Sequence, residues 1–254
     1  MYEIPLEEVS DDFARCWKAA GLHIQNQAQG SSQIWLKANL MPPFLEHLSF
    51  RLGNQIFFVQ IQDVEGALEL PGNHGGLLTI AKECAGHACL MPMRRAGAHW
   101  KPAEPGWGLI DARTGAPINP VALISDEKIV MTDWELHDFA VEIVSRHLAD
   151  TGKELIRWNG SPRLSPSIWF EGDQDAEWVV VQAVRYPERE APLPDDLPTI
   201  QAYFAARGCP GHFASVAVSS ADETYDPEAA RKGMVVPLYR GYGMHVKYHG
   251  LKRL

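Results

Sequence analysis

The chain is poor in cysteine, with four among 254 residues at Cys16, Cys84, Cys89 and Cys209. So few cannot build the disulfide framework of a small secreted scaffold, and the apolar core must carry stability. No apolar run approaches the roughly 20 residues that span a bilayer. The opening residues, MYEIPLEEVSDDF, lack the apolar stretch of a signal peptide. A reduced, cytoplasmic, bacterial-type protein without membrane contact is the expectation. Basic excess is missing as well. The net charge is −9, split into −3 over residues 1–124 and −6 over residues 125–254. Neither half has the cationic surplus of a protein held by phosphate contacts, so nucleic acid is disfavoured as a partner. Also absent are HExxH, a P-loop, GxSxG and the dinucleotide-binding glycine fingerprint. What is present is a normal globular composition, 46% hydrophobic and 22% charged, long enough for one large core or two ordinary ones.

A repeat stands out. Cys84-Ala-Gly-His87 and Cys209-Pro-Gly-His212 share a Cys-x-Gly-His pattern, and their flanks match in the same order. Asp12-Phe13-Ala14 corresponds to Asp138-Phe139-Ala140. IFFVQI (56–61) corresponds to WVVVQA (178–183), with Gln60 opposite Gln182, and LIDARTG (109–115) falls opposite PLYRGYG (237–243). The offsets of 126, 122, 125 and 128 residues keep the order with small insertions. A tandem duplication is expected, with repeats at 1–124 and 125–254 and cores at about 11–115 and 137–243.

Each repeat reads as the same series of elements. Ser10 caps a first helix carrying Phe13, Cys16, Trp17 and Ala20 at helical spacing, with Gly21 as its expected end. Its counterpart opens on a Thr132-x-x-Glu135 capping box, carries Leu136, Phe139, Ala140, Ile143, Val144 and Leu148, and stops at Gly152. A strand pair follows, LEHLSFRLGNQIFFVQIQ or SIWFEGDQDAEWVVVQAV, turned at Gly53-Asn54 or Gly172-Asp173. The second strand of each pair is almost wholly apolar, as a central strand covered on both faces should be. Pro- and Gly-rich loops (66–76 and 187–198) lead to a second helix, GLLTIAKECAG or LPTIQAYFAARG, with Pro198 near the start of the latter. A strand follows, HACLMPM or HFASVAV, then a final strand around 107–111 or 234–240. Residues 116–130 are the expected connection. The fold class is α/β (α+β), an α-β-β-α-β-β unit written twice to make two mixed-sheet domains.

This element order resembles the PD-(D/E)xK nuclease-like fold, most clearly from Ser165 to Pro187. The resemblance implies a magnesium site built from a Pro-Asp near one strand and a Glu-x-Lys on the next. Here those positions read Pro166-Ser167 and Gln182-Ala183-Val184 in the second copy, and His47 and Gln60-Ile61-Gln62 in the first. The metal-binding acids and the lysine are missing from both copies, which implies that inherited nuclease chemistry is lost.

Three other chemistries compete with plain structure. Cys84, His87, Cys209 and His212 have the identities of a zinc set, but the duplication explains their repetition without metal. In that reading each Cys is the last buried residue of a helix, each Gly its left-handed cap, and each His the lead into a strand. Zinc is therefore the subordinate reading, and no cofactor is expected. A Cys84 nucleophile lacks any marked oxyanion hole. Asp63, Glu65 and Glu177 flank the buried strands, where single acids are usually solvated. The glycines of GNHGG (72–76) precede a helix without a lysine partner and read as loop. The C-terminal tail is the one basic stretch, and Tyr239, Arg240, Tyr242 and Lys247 there mix aromatic and cationic groups in the manner of a binding surface. An edge strand guarded by lysine is the plain alternative.

The expected function is non-catalytic protein binding, as an adaptor, accessory or immunity-type protein whose acidic surface suits a basic partner. A metal-dependent nucleic-acid-processing enzyme or binder is the alternative. Self-association is left open.

Overall fold

The computed structural model describes residues 10–38, 47–68, 70–172, 175–222, 227–232, 234 and 236–254. Asp173 of the second expected turn, Leu45 and Glu46 of the first strand pair, and residue 69 of the loop at 66–76 lie outside them. The chain forms two compact units, Pro5–Ile129 and Val130–Leu254. The division falls at 129/130 rather than at 124/125, because the connection stays with the first unit. The Asn54 amide donates to Ser125 Oγ (3.1 Å) and to the Glu127 carbonyl (2.8 Å), and its oxygen accepts from Ser125 N.

In the N-terminal unit, α1 (Asp11–Gln27) precedes three antiparallel strands, β1 (Gln33–Lys37), β2 (Leu48–Leu52) and β3 (Gln55–Asp63). Helix α2 (His74–Glu83) crosses over and returns the chain as β4 (His87–Ala96), parallel to β3. Strands β5 (His99–Pro102) and β6 (Ile110–Asp111) pair with β4, and a 3-10 turn follows at Pro120–Leu123. The C-terminal unit has the same plan. Helix α3 (Asp133–Asp150) precedes β7 (Leu155–Trp158), β8 (Ile168–Glu171) and β9 (Ala176–Arg185), and α4 (Leu197–Ala205) crosses to β10 (Gly211–Ser220), parallel to β9. A short α5 (Pro227–Arg231) leads to β11 (Met244–Tyr248) and β12 (Lys252–Arg253), both antiparallel to β10. The strand orders are β1-β2-β3-β4-β5 and β7-β8-β9-β10-β11. The fold is therefore mixed α/β, with two mixed sheets, and each unit is α-β-β-β-α-β before its last strands differ. No helix among the described residues is long and apolar enough to cross a membrane.

Local chemistry sets the helix starts. Ser10 accepts from Phe13 N (3.1 Å), Asn73 accepts from Gly76 N (2.8 Å), and Thr132 with Glu135 completes the capping box. Helix α3 stops where expected, with Gly152 left-handed at φ +82. Helix α1 runs on past Gly21 to Gln27, and the left-handed turn comes later, at Gly30. Strands β1 and β7 add to the expected element series; both are half-buried and show no clean alternation. The strand expected at 107–111 shrinks to two residues. The strand expected at 234–240 lies instead at Met244–Tyr248, since Leu238 is drawn into the core by a loop.

The central strands are covered on both faces, which is why they read as continuous apolar runs. In β9, Val179 and Val181 pack with Leu136, Ala140 and Val144 of α3. Trp178 and Val180 point the other way, onto Leu197, Ile200 and Phe204 of α4. In the N-terminal unit Phe57, Val59 and Ile61 of β3 pack with Phe13, Trp17 and Ile24 of α1, while α2 covers the opposite face of β3 and β4.

The repeated Gly-His junction has a steric cause. Gly86 passes over β3, where a Cβ would sit 3.0 Å from the Ile56 carbonyl and from the Phe58 ring. Gly211 passes over β9, where a Cβ would enter the Trp178 ring. Neither glycine is left-handed, which corrects the cap reading. The left-handed residues are Ala85 (φ +43) and Gly208 (φ +72). Cys84 does end α2 and is fully buried, whereas Cys209 follows Gly208 and is half-buried. The two motifs therefore coincide at Gly-His and not at Cys.

Two outcomes follow from this packing. Gly211→Ala should destabilise the C-terminal unit by about 3 kcal/mol, the upper range for overpacking, read from denaturant unfolding; Gly86→Ala should cost less. Burial of His137, 7% exposed with Nε2 unpartnered, pushes its imidazole down to about 4 from an ordinary 6.5. The unfolded chain then binds the proton first. Stability should fall as pH drops from about 6.5 to about 4 and level off below, by roughly 3 kcal/mol at most. His137→Phe should remove its share of that slope in unfolding curves recorded across the window, the remainder coming from His47, which burial holds down at about 3.

Candidate functional site

The parallel pairing of β9 and β10 brings two distant side chains together. His212 lies opposite Val179 in register. Glu177 sits two residues before Val179, so its side chain leaves the same face of the sheet. His212 Nε2 lies 2.5 Å from Glu177 Oε2, and both side chains are mostly buried. The ring also packs beside Phe170, with centroids 5.8 Å apart. On the other flank of β10, His212 pairs in register with Arg253 of β12. An ionised carboxylate only accepts, so Glu177 fixes the imidazole hydrogen on Nε2 and the orientation of the ring.

The N-terminal unit repeats the arrangement with one change. His87 lies opposite Phe57, Gln55 sits two residues earlier, and His87 Nε2 is 3.0 Å from Gln55 Oε1. The His87 ring stacks on Phe57 at 4.9 Å. A neutral amide thus holds the first histidine, and a carboxylate holds the second.

The Glu177–His212 pair opens into a cleft of about 630 Å³ within the C-terminal unit. His147 and Thr151, at the end of α3, and Lys153 line one side; Phe170 and Leu251 supply apolar wall, and Asp175 and Arg253 add charge of both signs. The Thr151 hydroxyl is spent on the last carbonyls of α3, at His147 and Leu148. A smaller cavity of about 220 Å³ lies beside Ser215 and His249, where Ser215 Oγ accepts from Ala191 N (2.8 Å) and so anchors a loop.

The other candidates are placed as follows. Cys84, the C-cap of α2, is wholly buried, which denies it the access a nucleophile needs. His87 and His212 have each committed Nε2 to a neighbouring side chain. Among the described residues no group of three or more His, Cys, Asp or Glu is gathered to hold a metal ion. Burial also pushes the Cys16 thiol up to about 12 and the Cys89 thiol higher, with Asp63 and Asp111 respectively adding to the effect. Asp63 is a loop anchor, accepting from the amides of Glu65, Ala67 and Leu68. Tyr242 and Lys247 are exposed, with Lys247 on edge strand β11, and Tyr239 is half-buried with its ring 5.8 Å from that of Tyr242.

Arg240 is the correction in that set. Expected at a binding surface, it is 1% exposed. Its Nε and Nη2 each donate at 2.8 Å to the two oxygens of Glu135, and Glu135 also accepts from Thr132 N and Oγ1. Only a planar guanidinium offers two parallel donors to one carboxylate, so a lysine there would not serve. The pair ties the start of α3 to the loop before β11. Arg240→Met should cost the C-terminal unit about 3–5 kcal/mol by stranding a buried charge, measured by chemical denaturation. Adding Glu135→Gln should recover part of the loss.

The sequence had named Glu177 and His212 without joining them. The usable signal was the repeat itself, because the 122-residue offset sets Glu177 against Gln55 and the 125-residue offset sets His212 against His87.

A family model described as a domain of unknown function (DUF8840) matches residues 134–254, almost the whole C-terminal unit and the whole of the cleft. No curated protein and no solved structure matches the chain.

Proposed function

We propose that the protein acts by binding another protein, as an adaptor, accessory or immunity-type module built from two diverged nuclease-like units of a tandem duplication. The observation that carries this reading is the composition of the two central strands. Each unit has the α-β-β-β-α-β order with a parallel crossover, and the positions where the nuclease-like fold would hold its acid and lysine are Gln60-Ile61-Gln62 on β3 and Gln182-Ala183-Val184 on β9. Amides and aliphatic side chains there neither bind magnesium nor activate water. The net charge of −9 favours rapid association with a basic partner. The cleft beside Glu177 and His212 is the recognition site in this reading, since it combines apolar wall with charges of both signs.

The alternative, metal-dependent processing of nucleic acid, draws on the same carboxylate, because Glu177 reaches a cleft. Capture from the host of origin, with wild-type protein and with the double variant Glu177→Gln/Arg253→Ala, separates the two when paired with a magnesium and manganese nuclease assay. The expected result is a partner retained by the wild type and lost from the folded double variant, with no cleavage of DNA or RNA. Metal-dependent cleavage that disappears in Glu177→Ala would establish the alternative.

A further inference from the structure

We infer that the cleft of the C-terminal unit is a carboxylate-recognition site for a peptide segment that carries an acidic side chain next to apolar ones. The inference rests on the proposal that this cleft is where the partner binds, and it names the chemistry of what enters.

Arg253 is the recognising group. It is exposed at the cleft, and among the described residues it makes no ion pair or hydrogen bond through its side chain. Its in-register neighbour across β10 is His212, whose ring is already held by Glu177. A guanidinium fork beside a fixed imidazole matches a carboxylate, which takes two parallel donors from arginine. Arg240 has its carboxylate supplied by Glu135 from within the fold, whereas Arg253 has none.

The charge balance favours a carboxylate over a phosphate. In the lining, Lys153 and Arg253 stand against Asp175 and Glu177, two cations to two acids. With two acids already in the lining, a dianion meets more repulsion than a singly charged group does. Beside the charges, Phe170, Leu148 and Leu251 offer apolar wall for the flanking side chains. The N-terminal unit has no acid at the equivalent place, only Gln55.

The probe is a blocked heptapeptide, acetyl-Ser-Leu-Glu-Leu-Phe-Ser-Gly-amide, titrated calorimetrically into the full chain. Saturable binding is expected, weakened about tenfold or more by replacing the peptide Glu with Gln, as loss of a charge-assisted bidentate contact requires. Arg253→Ala should weaken binding to the same degree, while Arg146→Ala, on the exposed surface of α3, should leave it unchanged. Circular dichroism confirms that each variant is folded. Imidazole NMR signals of His212 should move on titration, and Glu177→Gln should alter that response while retaining a hydrogen-bonded ring. Equal binding of the Glu and Gln peptides, equal affinity of Arg253→Ala, or displacement of the peptide by inorganic phosphate but not by acetate would each overturn the inference. Failure of the peptide alongside a captured partner that depends on Arg253 would refute the ligand class and leave the protein-binding proposal standing. A peptide that binds as expected, with no captured partner, would do the reverse.

Discussion

The parallel pairing of two fully buried strands governs each unit. Phe57, Phe58 and Val59 on β3, and Val179, Val180 and Val181 on β9, have no exposed surface. Such strands must be covered on both faces, and a parallel neighbour requires a crossover, so a helix on each side follows directly. The crossover must then bring the chain back across the buried strand at close range. A Cβ clashes outright in that approach at Gly211 over Trp178 and fits only tightly at Gly86 over Ile56 and Phe58. The residue after that glycine is the first side chain of the returning strand, and in both units it is histidine.

Much of this was legible in the chain. The apolar runs 56–61 and 178–183 announced central strands, the Thr132–Glu135 box announced the start of α3, and Gly152 its end. The repeat gave matching positions for the two histidines. What stayed hidden was either edge structure or long-range pairing. Strands β1 and β7 are half-buried at sheet edges, so neither face imposes a pattern on their sequence. Arg240 looked like a surface cation because its partner, Glu135, lies 105 positions away. No local rule links a capping-box glutamate to a distant arginine. The same limit separated Glu177 from His212, which are neighbours only through the β9–β10 register.

Two glutamates of the C-terminal unit show how environment divides roles among identical side chains. Glu135 is buried, and each of its oxygens is held by a guanidinium nitrogen, with two further donors from Thr132. Its acceptor capacity is consumed by the fold, and it can do nothing but hold α3 in place. Among the described residues Glu177 has His212 as its side-chain partner, and it stands at the wall of a cleft. Its second oxygen lies against Gly172, where an added Cβ would clash with it, and the imidazole beside it lines the cleft.

The matching geometry of the two units separates that difference from the needs of the fold. In the N-terminal unit the histidine after the close-approach glycine is held by Gln55, through a hydrogen bond of 3.0 Å. The junction therefore folds with a neutral amide at this place, and the backbone demands of the parallel pairing are met without any charge. A carboxylate at Glu177 is then an addition that the architecture does not need. It carries a desolvation cost that an amide avoids. The charge at Glu177 sits where the unit opens into a cleft flanked by Arg253, so its cost is not one that holding the sheet together requires.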